Sequence, residues 1–276
     1  MNKFEKNIPK KVSIVMPAWF IPGMNGKYRE SETYWLASEC LKKLIERTPK
    51  EFYELIIVDN GSTLADKDIA PDLPSLKWYW SQADILIRNQ NNLGFAIACN
   101  QAINLAKGRY VICINNDILV WEGWIDALLE PFESEITFTP PVGVVMPALM
   151  KETRDAREAL KMEKIDLTKN HDVFGDGAEF GSCWIAKKEL IDKIKEMNKQ
   201  ELGESTFYDE NFLLGMGEDR KVWQQVRMLG YQTYRTHNTR VFHQGNMSLG
   251  KIPDRKKYTF ANREYLAKWK QKHNLV

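Results

Sequence analysis

What this chain of 276 residues has little of narrows its class before any motif is read. No stretch approaches the roughly 20 apolar residues that a membrane span needs. The opening residues, Met1 to Lys11, are polar and carry no apolar core of a secretory signal. Neither sign of charge is in excess: 39 Lys and Arg stand against 37 Asp and Glu, so a general polyanion partner is not implied. The four cysteines, Cys40, Cys99, Cys113 and Cys183, make no Cys-x-x-Cys pair and no other metal spacing. Cys99 and Cys113 sit among apolar residues and read as buried thiols of a reducing, cytoplasmic compartment. No repeat, low-complexity tract or linker divides the chain.

What is present centres on Arg109-Tyr110-Val111-Ile112-Cys113-Ile114-Asn115-Asn116-Asp117. An apolar, β-branched run reads as a strand buried on both faces. It stops on two amides and a carboxylate, which places them at the carboxyl edge of a sheet, where open α/β sheets bind ligands. Asp117 is a hard oxygen ligand suited to Mg²⁺ or Mn²⁺. Turn chemistry alone would also account for Asn-Asn-Asp.

Further strands are expected at Val12–Met16, Leu55–Val58, Ile85–Ile87, Val142–Met146, Cys183–Ala186, Tyr231–Tyr234 and Arg240–His243. Helices are expected over Tyr34–Arg47, Phe95–Ala106 with Gly108 as its stop, Trp121–Phe132, Lys188–Met197, Gly217–Leu229 and Tyr258–Lys272. Trp19–Tyr34 reads as a long loop, and Lys151–Asn170 as a charged surface insertion. The alternation over the first 150 residues predicts an α/β fold, a mostly parallel sheet covered by helices.

Three strand ends are polar: Asp59-Asn60-Gly61-Ser62, Asn115-Asn116-Asp117, and the turn with Asn91-Asn92-Leu93-Gly94. A parallel sheet gathers such ends. Asp59 can accept hydrogen bonds from a base or a ribose. Gly61 and Gly94 would let backbone approach a ligand, and Gly94 precedes a helix start that favours an anion. Together they describe a nucleotide site, although Asp-Asn-Gly-Ser is also a good turn. Gly217-Glu218-Asp219 puts two carboxylates in the first turn of a helix, where they suit the helix dipole or serve as a general base. His243 closes a short apolar strand, where a histidine is more often structural than a ligand, yet no strong metal site with Asp117 forms without it.

These residues, in this order, resemble the GT-A glycosyltransferases of family 2, notably the rhamnosyltransferase-like and galactofuranosyltransferase-like branch. The marks are V-S-I-V-M-P-A, L-I-I-V-D-N-G-S-T, N-Q-N-N-L-G-F-A-I-A-C-N-Q-A, G-R-Y-V-I-C-I-N-N-D, Y-D-E-N-F, G-E-D-R-K-V-W and V-F-H-Q-G-N-M-S. The resemblance implies one GT-A domain with a mostly parallel mixed sheet. Residues 12–120 would be the nucleotide-sugar half, 121–250 the acceptor and catalytic half, and 251–276 a basic C-terminal helix. It implies inverting transfer of a sugar from a nucleotide-diphosphate-sugar to a hydroxyl of a glycan, lipid-linked or other acceptor, in bacterial or phage glycan synthesis. A modified nucleic acid is a minority alternative acceptor. The implied location is cytoplasmic, including the inner face of the membrane.

By the same resemblance Asp219 is the base, Glu218 its neighbour that positions acceptor or base, and Asp117 and His243 the ligands of Mn²⁺ or Mg²⁺. Pro17, Ala18, Asp59, Asn60, Gly61, Asn92, Gly94, Asn115 and Asn116 would bind the donor. Asn115 stands where the family's D-x-D motif begins with Asp, and the Trp19–Tyr34 loop is longer than the family's usual turn. Two competing readings are a sugar-nucleotide-binding protein without turnover and a nucleotidyltransferase. The latter lacks its Gly-rich phosphate loop between Val12 and Trp19.

Overall fold

The computed structural model describes residues 11–22, 32–150, 152–167, 181–245 and 254–275. Residues 1–10, the middle of the long loop (23–31), His171, the N-M-S of the last motif and 251–253 of the basic stretch lie outside the described residues.

Among the described residues eight strands form the sheet: β1 (Val12–Ala18), β2 (Tyr53–Asn60), β3 (Ile85–Asn89), β4 (Tyr110–Ile114), β5 (Ile118–Leu119), β6 (Val142–Leu149), β7 (Cys183–Lys187) and β8 (Gln232–His243). Their order is β3-β2-β1-β4-β7-β6-β8-β5. The pairs β1–β2, β1–β4, β2–β3 and β6–β8 are parallel, while β7 runs antiparallel to both β4 and β6, and β5 antiparallel to β8. The result is the mostly parallel mixed sheet that the alternation predicts. β4 has every residue buried, as a continuous apolar run in a sheet covered on both faces must.

The helices are α1 (Glu32–Glu46), α2 (Leu76–Ser81), α3 (Phe95–Leu105), α4 (Trp124–Glu133), α5 (Ala156–Lys161), α6 (Lys188–Leu202), α7 (Glu218–Met228) and α8 (Arg255–Lys272). α3 packs on β1 and β2, α4 on β6 and β8, α6 on β7 and α7 on β8. No helix among the described residues is long and apolar enough to cross a membrane.

Several boundaries differ from expectation for identifiable reasons. The two short strands expected after α7 are one strand, β8, whose pairing with β6 jumps from Thr236 to Arg240 at the step from Pro147 to Ala148. Pro147 has no N–H for the ladder, so a bulge forms opposite it and the exposed His237-Asn238 interrupts the apolar pattern. The charged insertion contains α5, capped by Asp155 and burying only Ala156 and Ala159, too little for a visible period. α3 ends at Leu105, ahead of the expected stop. Gly108 instead fits against β1, where a Cβ would meet the Ser13 amide at 2.6 Å.

Candidate active site

The carboxyl ends of β1, β2 and β4 line one side of a cavity of about 260 Å³, through Pro17, Ala18, Trp19, Asn60, Asn92, Phe95 and Asn115. The other side comes from far along the chain: Gly181, Ser182, Leu214, Gly215, Met216, Glu218 and Asp219. Seven of the expected site residues thus share one wall-to-wall cleft: Pro17, Ala18, Asn60, Asn92, Asn115, Glu218 and Asp219. Asp59, Gly61, Gly94, Asn116, Asp117 and His243 do not line it.

The turn after β2 is saturated by its own chain. Asp59 is buried; its Oδ1 accepts from the Ser62 amide at 2.9 Å and its Oδ2 from Arg88 Nε at 3.1 Å. The Arg88 guanidinium also pairs with the same Oδ2 through Nη2 at 3.0 Å. Asn60 donates to Asn92 Oδ1 at 2.9 Å and to the Gly94 carbonyl at 3.1 Å. Its own Oδ1 accepts from Asn89 Nδ2 and the Leu93 amide. The close approach expected of Gly61 is made to protein, not to a ligand. At φ +79° it lies against the next turn, and a Cβ would meet Asn91 C at 2.3 Å. Gly94 likewise faces the Leu214 backbone, 3.2 Å from where its Cβ would stand. Asn60 and Gly61 therefore fix the shape of the floor.

At the end of β4, Asn115 donates its amide N–H to the Ser182 carbonyl at 2.8 Å, while its side-chain Oδ1 is buried without a hydrogen-bond partner among the described residues. Asn116 turns to the buried Tyr79 hydroxyl. Asp117 is 8% exposed. Antiparallel pairing of Ile118 with His243 brings its Oδ1 to 3.3 Å from His243 Nε2. A carboxylate oxygen and an imidazole nitrogen in contact at a strand edge are a donor set acceptable to Mn²⁺. No group of three or more His, Cys, Asp or Glu that could hold a metal occurs among the described residues, of which Asp117 and His243 are the pair in contact here.

α7 starts from a strained loop. Leu214, Gly215, Met216 and Gly217 have φ of 57°, 109°, 87° and 110°, four successive residues in left-handed space. Two of them are not glycine, and each such residue costs about 1–2 kcal/mol. Asn262 of α8 holds the loop: its Nδ2 donates to the carbonyls of Leu213, Gly215 and Met216 at 3.0–3.1 Å, and its Oδ1 accepts from the Leu213 amide.

Glu218 is 5% exposed and its Oε2 has no hydrogen-bond partner among the described residues. Burial, then the neighbouring Asp219 charge, push its carboxyl up to about 8, against the pull of the Glu218 and Met216 amides. Asp219 is also raised by burial, with the Arg220 amide and guanidinium opposing. A helix start alone would lower the Asp219 carboxyl; burial raises it against that pull. Gly181 makes room for this carboxylate, since a Cβ there would meet Asp219 Oδ2 at 2.3 Å.

Behind the site lies a buried charge network. Lys221 is fully buried, 2.7 Å from Asp209 and 3.4 Å from Glu201, and lies over the Trp269 ring. Tyr265 donates to Asp209 Oδ2 at 2.6 Å. Asp209, the fallback for a catalytic base, is thus engaged in holding α7 and α8 together, and Glu210 accepts from Asn100. Reading the sequence alone missed Arg88, Lys221, Asn262 and Gly181. Only Arg88 had a visible signal, a basic residue that parallel register sets beside Asp59.

Comparison with known proteins gives a match of residues 36–195 to the model of Glycosyl transferase family 2. The poly(ribitol-phosphate) beta-glucosyltransferase of Bacillus spizizenii is 32% identical over 154 residues, 52% of this chain and 22% of its own length. A putative polypeptide N-acetylgalactosaminyltransferase 13 of Drosophila melanogaster is 30% identical over 43% of this chain and 22% of its own. The matches therefore span under a quarter of those relatives. Among solved structures, S. aureus TarS residues 1–349 superposes with TM-score 0.52 at 14% identity, over 86% of this chain and 61% of that one. GalNAc-T7 with UDP, GalNAc and Mn²⁺ gives TM-score 0.53 at 15% identity, over 97% of this chain and 55% of that one. These likenesses show a GT-A fold.

Proposed function

From the premise that the chain belongs to glycosyl transferase family 2, we propose that it is an inverting, metal-dependent transferase. It moves a sugar, of hexosyl type, from a nucleotide-diphosphate-sugar to an acceptor hydroxyl. The observation that carries this reading is the shared cleft: Asn115 at the end of β4 and the Glu218-Asp219 pair at the start of α7 line one cavity. Within it Asn115 Oδ1 and Glu218 Oε2 are buried without partners among the described residues, as groups awaiting a ligand are. Solved GT-A neighbours hold UDP, or GDP-mannose with Mn²⁺, which supports this class of donor.

Two adjacent buried carboxyls resist carrying two charges, so the pair keeps one proton near neutral pH. Glu218, pushed to about 8, is the member that holds it, and Asp219 is left ionised. Asp219 then takes the proton of the acceptor hydroxyl while that oxygen attacks the anomeric carbon. The bond from that carbon to the phosphate oxygen breaks on the opposite face, and its electron pair leaves with the nucleotide diphosphate. Protonated Glu218 orients the acceptor or Asp219 by donating a hydrogen bond. Asp117 and His243 would hold Mn²⁺ or Mg²⁺. When bound, the ion supplies Lewis-acid stabilisation of the departing diphosphate.

The donor is held by the residues at the ends of β1, β2 and β4, and the acceptor by the half after residue 120. Action in the cytoplasm or at the inner membrane face belongs to the same reading. A screen of nucleotide sugars, read by release of nucleotide diphosphate with and without Mn²⁺ and by NMR of the product's anomeric configuration, tests it. Retention of configuration, or binding without turnover across donors, would overturn it.

A further inference from the structure

Asp219 lines two cavities. Besides the donor cleft, a second space of about 230 Å³ opens between the start of α7 and the face of α8, and the two share Met216 and Asp219. The second is lined by Arg220, Thr259, Asn262 and Arg263. We propose that this second cavity is the acceptor subsite and that it takes a phosphate group carried beside the acceptor hydroxyl, gripped by Arg220 and Arg263. The proposal rests on the reading of Asp219 as base.

Geometry gives the first argument. A base for inverting transfer must touch the acceptor oxygen on the side away from the leaving diphosphate. A carboxylate with one cavity on either side meets that demand. Chemistry gives the second. Arg220 and Arg263 come from different helices, both are exposed, and neither forms an ion pair or side-chain hydrogen bond among the described residues. Two arginines lining one space suit a tetrahedral anion, which can accept several charge-assisted hydrogen bonds at once.

Charge distribution gives the third. α8 carries seven Lys and Arg and one Glu, while the whole chain nets only +2, so the remainder is net negative. The positive charge is concentrated on the helix that walls this cavity. A neutral sugar acceptor would call for aromatic faces instead. Among the described residues no ring lines this second cavity, whereas Trp19 and Phe95 line the donor cleft.

The test titrates glycerol 3-phosphate and glycerol, by calorimetry, into the full chain with and without excess UDP. Glycerol 3-phosphate is expected to bind in both conditions and glycerol in neither. Arg220→Gln and Arg263→Gln should each weaken phosphate binding about tenfold or more, the loss of a charge-assisted contact, and leave UDP affinity unchanged. Both positions are exposed, so folding is not at stake. Phosphate binding that is displaced by UDP, or that survives both substitutions, overturns the proposal. Two further arms identify the source of the phosphate: a short poly(glycerol phosphate), and phosphatidylglycerol vesicles in a sedimentation assay. The arm whose binding falls in Arg263→Gln names the source, and insensitivity of both arms again overturns the subsite. The two readings fail separately. A wild-type chain that hydrolyses no nucleotide sugar sinks the transferase, whereas normal hydrolysis with unaltered phosphate binding in the variants sinks only the subsite.

Discussion

The protonation of Glu218 can be read from stability alone, without knowing donor or acceptor. Its carboxyl has an ordinary value of 4.5 and is pushed to about 8 in the folded chain. Between those two values the unfolded chain has Glu218 ionised and the folded chain keeps it protonated. The folded state therefore binds more protons, and stability falls as pH rises through this window. At about 1.4 kcal/mol per pKa unit, ionising Glu218 in place costs on the order of 3–5 kcal/mol by the upper end of the window. For a chain of this length that corresponds to roughly 5–15 °C in Tm. Glu218→Gln cannot ionise and preserves the shape. Scanning calorimetry of the apo protein in a chelator, from pH 5 to 9, should show a wild-type Tm that declines steadily and a variant Tm that declines much less, the two meeting near pH 5. Asp219, also raised, adds a decline to both proteins. Glu201, pushed down to about 2 by Trp269, His273 and Lys221, and the lowered Asp209 lose their contribution only below the ordinary carboxylate range, outside the window. Parallel curves for the two proteins, or a wild-type Tm that rises across the window, would refute a protonated, buried Glu218.

Asp219→Asn should leave the affinity for nucleotide sugar within a few-fold in calorimetry and lower transfer on the order of 10²–10⁴, the share of acid–base catalysis. Asp117→Ala and His243→Ala should each abolish Mn²⁺-dependent strengthening of UDP or GDP binding, measured by titration with and without the ion; unchanged metal dependence defeats the assignment. Asn262→Leu leaves the carbonyls of Leu213, Gly215 and Met216 without their donor and should cost about 2–4 kcal/mol in denaturant unfolding. Turnover should fall with it, more than in Trp269→Phe, which loosens α8 without touching the loop. Gly181→Ala puts a methyl where Asp219 Oδ2 stands and should lower kcat with donor binding intact.

How much of this was legible in the sequence follows the range of the interactions. The polar ends of β2, β3 and β4 were readable because a parallel sheet must gather them, and the motif set paired Asp117 with His243 before any geometry. Their contact at 3.3 Å depends on β5, two residues long and below any periodic signal. Asn60 and Gly61 were read as facing a ligand because strand-end amides and glycines serve that purpose. Whether such a glycine admits a phosphate or a neighbouring turn depends on where Asn91 lands, which local sequence does not encode. α8 read as a solvated basic helix because its charges dominate. Its buried side, Asn262, Leu266 and Trp269, is too sparse to show a stripe.

The reversed strand β7 explains how two distant parts of the chain come to share one cleft. In β1, β2 and β4 the carboxyl ends lie on one edge, and a parallel successor would have put its amino end on the far edge. β7 is antiparallel to β4, pairing Ile114 with Cys183, so the residues just before it arrive at the same edge as Asn115. Ser182 accepts there from the Asn115 amide, and Gly181, one residue earlier, leaves the space that Asp219 fills. α7 cannot reach that space by ordinary helical entry. It is delivered by four residues in left-handed space, and α8 holds them through Asn262, with Thr259 and Arg255 donating to the Met216 sulfur. Donor residues thus stand on the rigid sheet, while the base stands on a strained loop fixed from outside. Changes in α8 should therefore alter transfer more than donor binding.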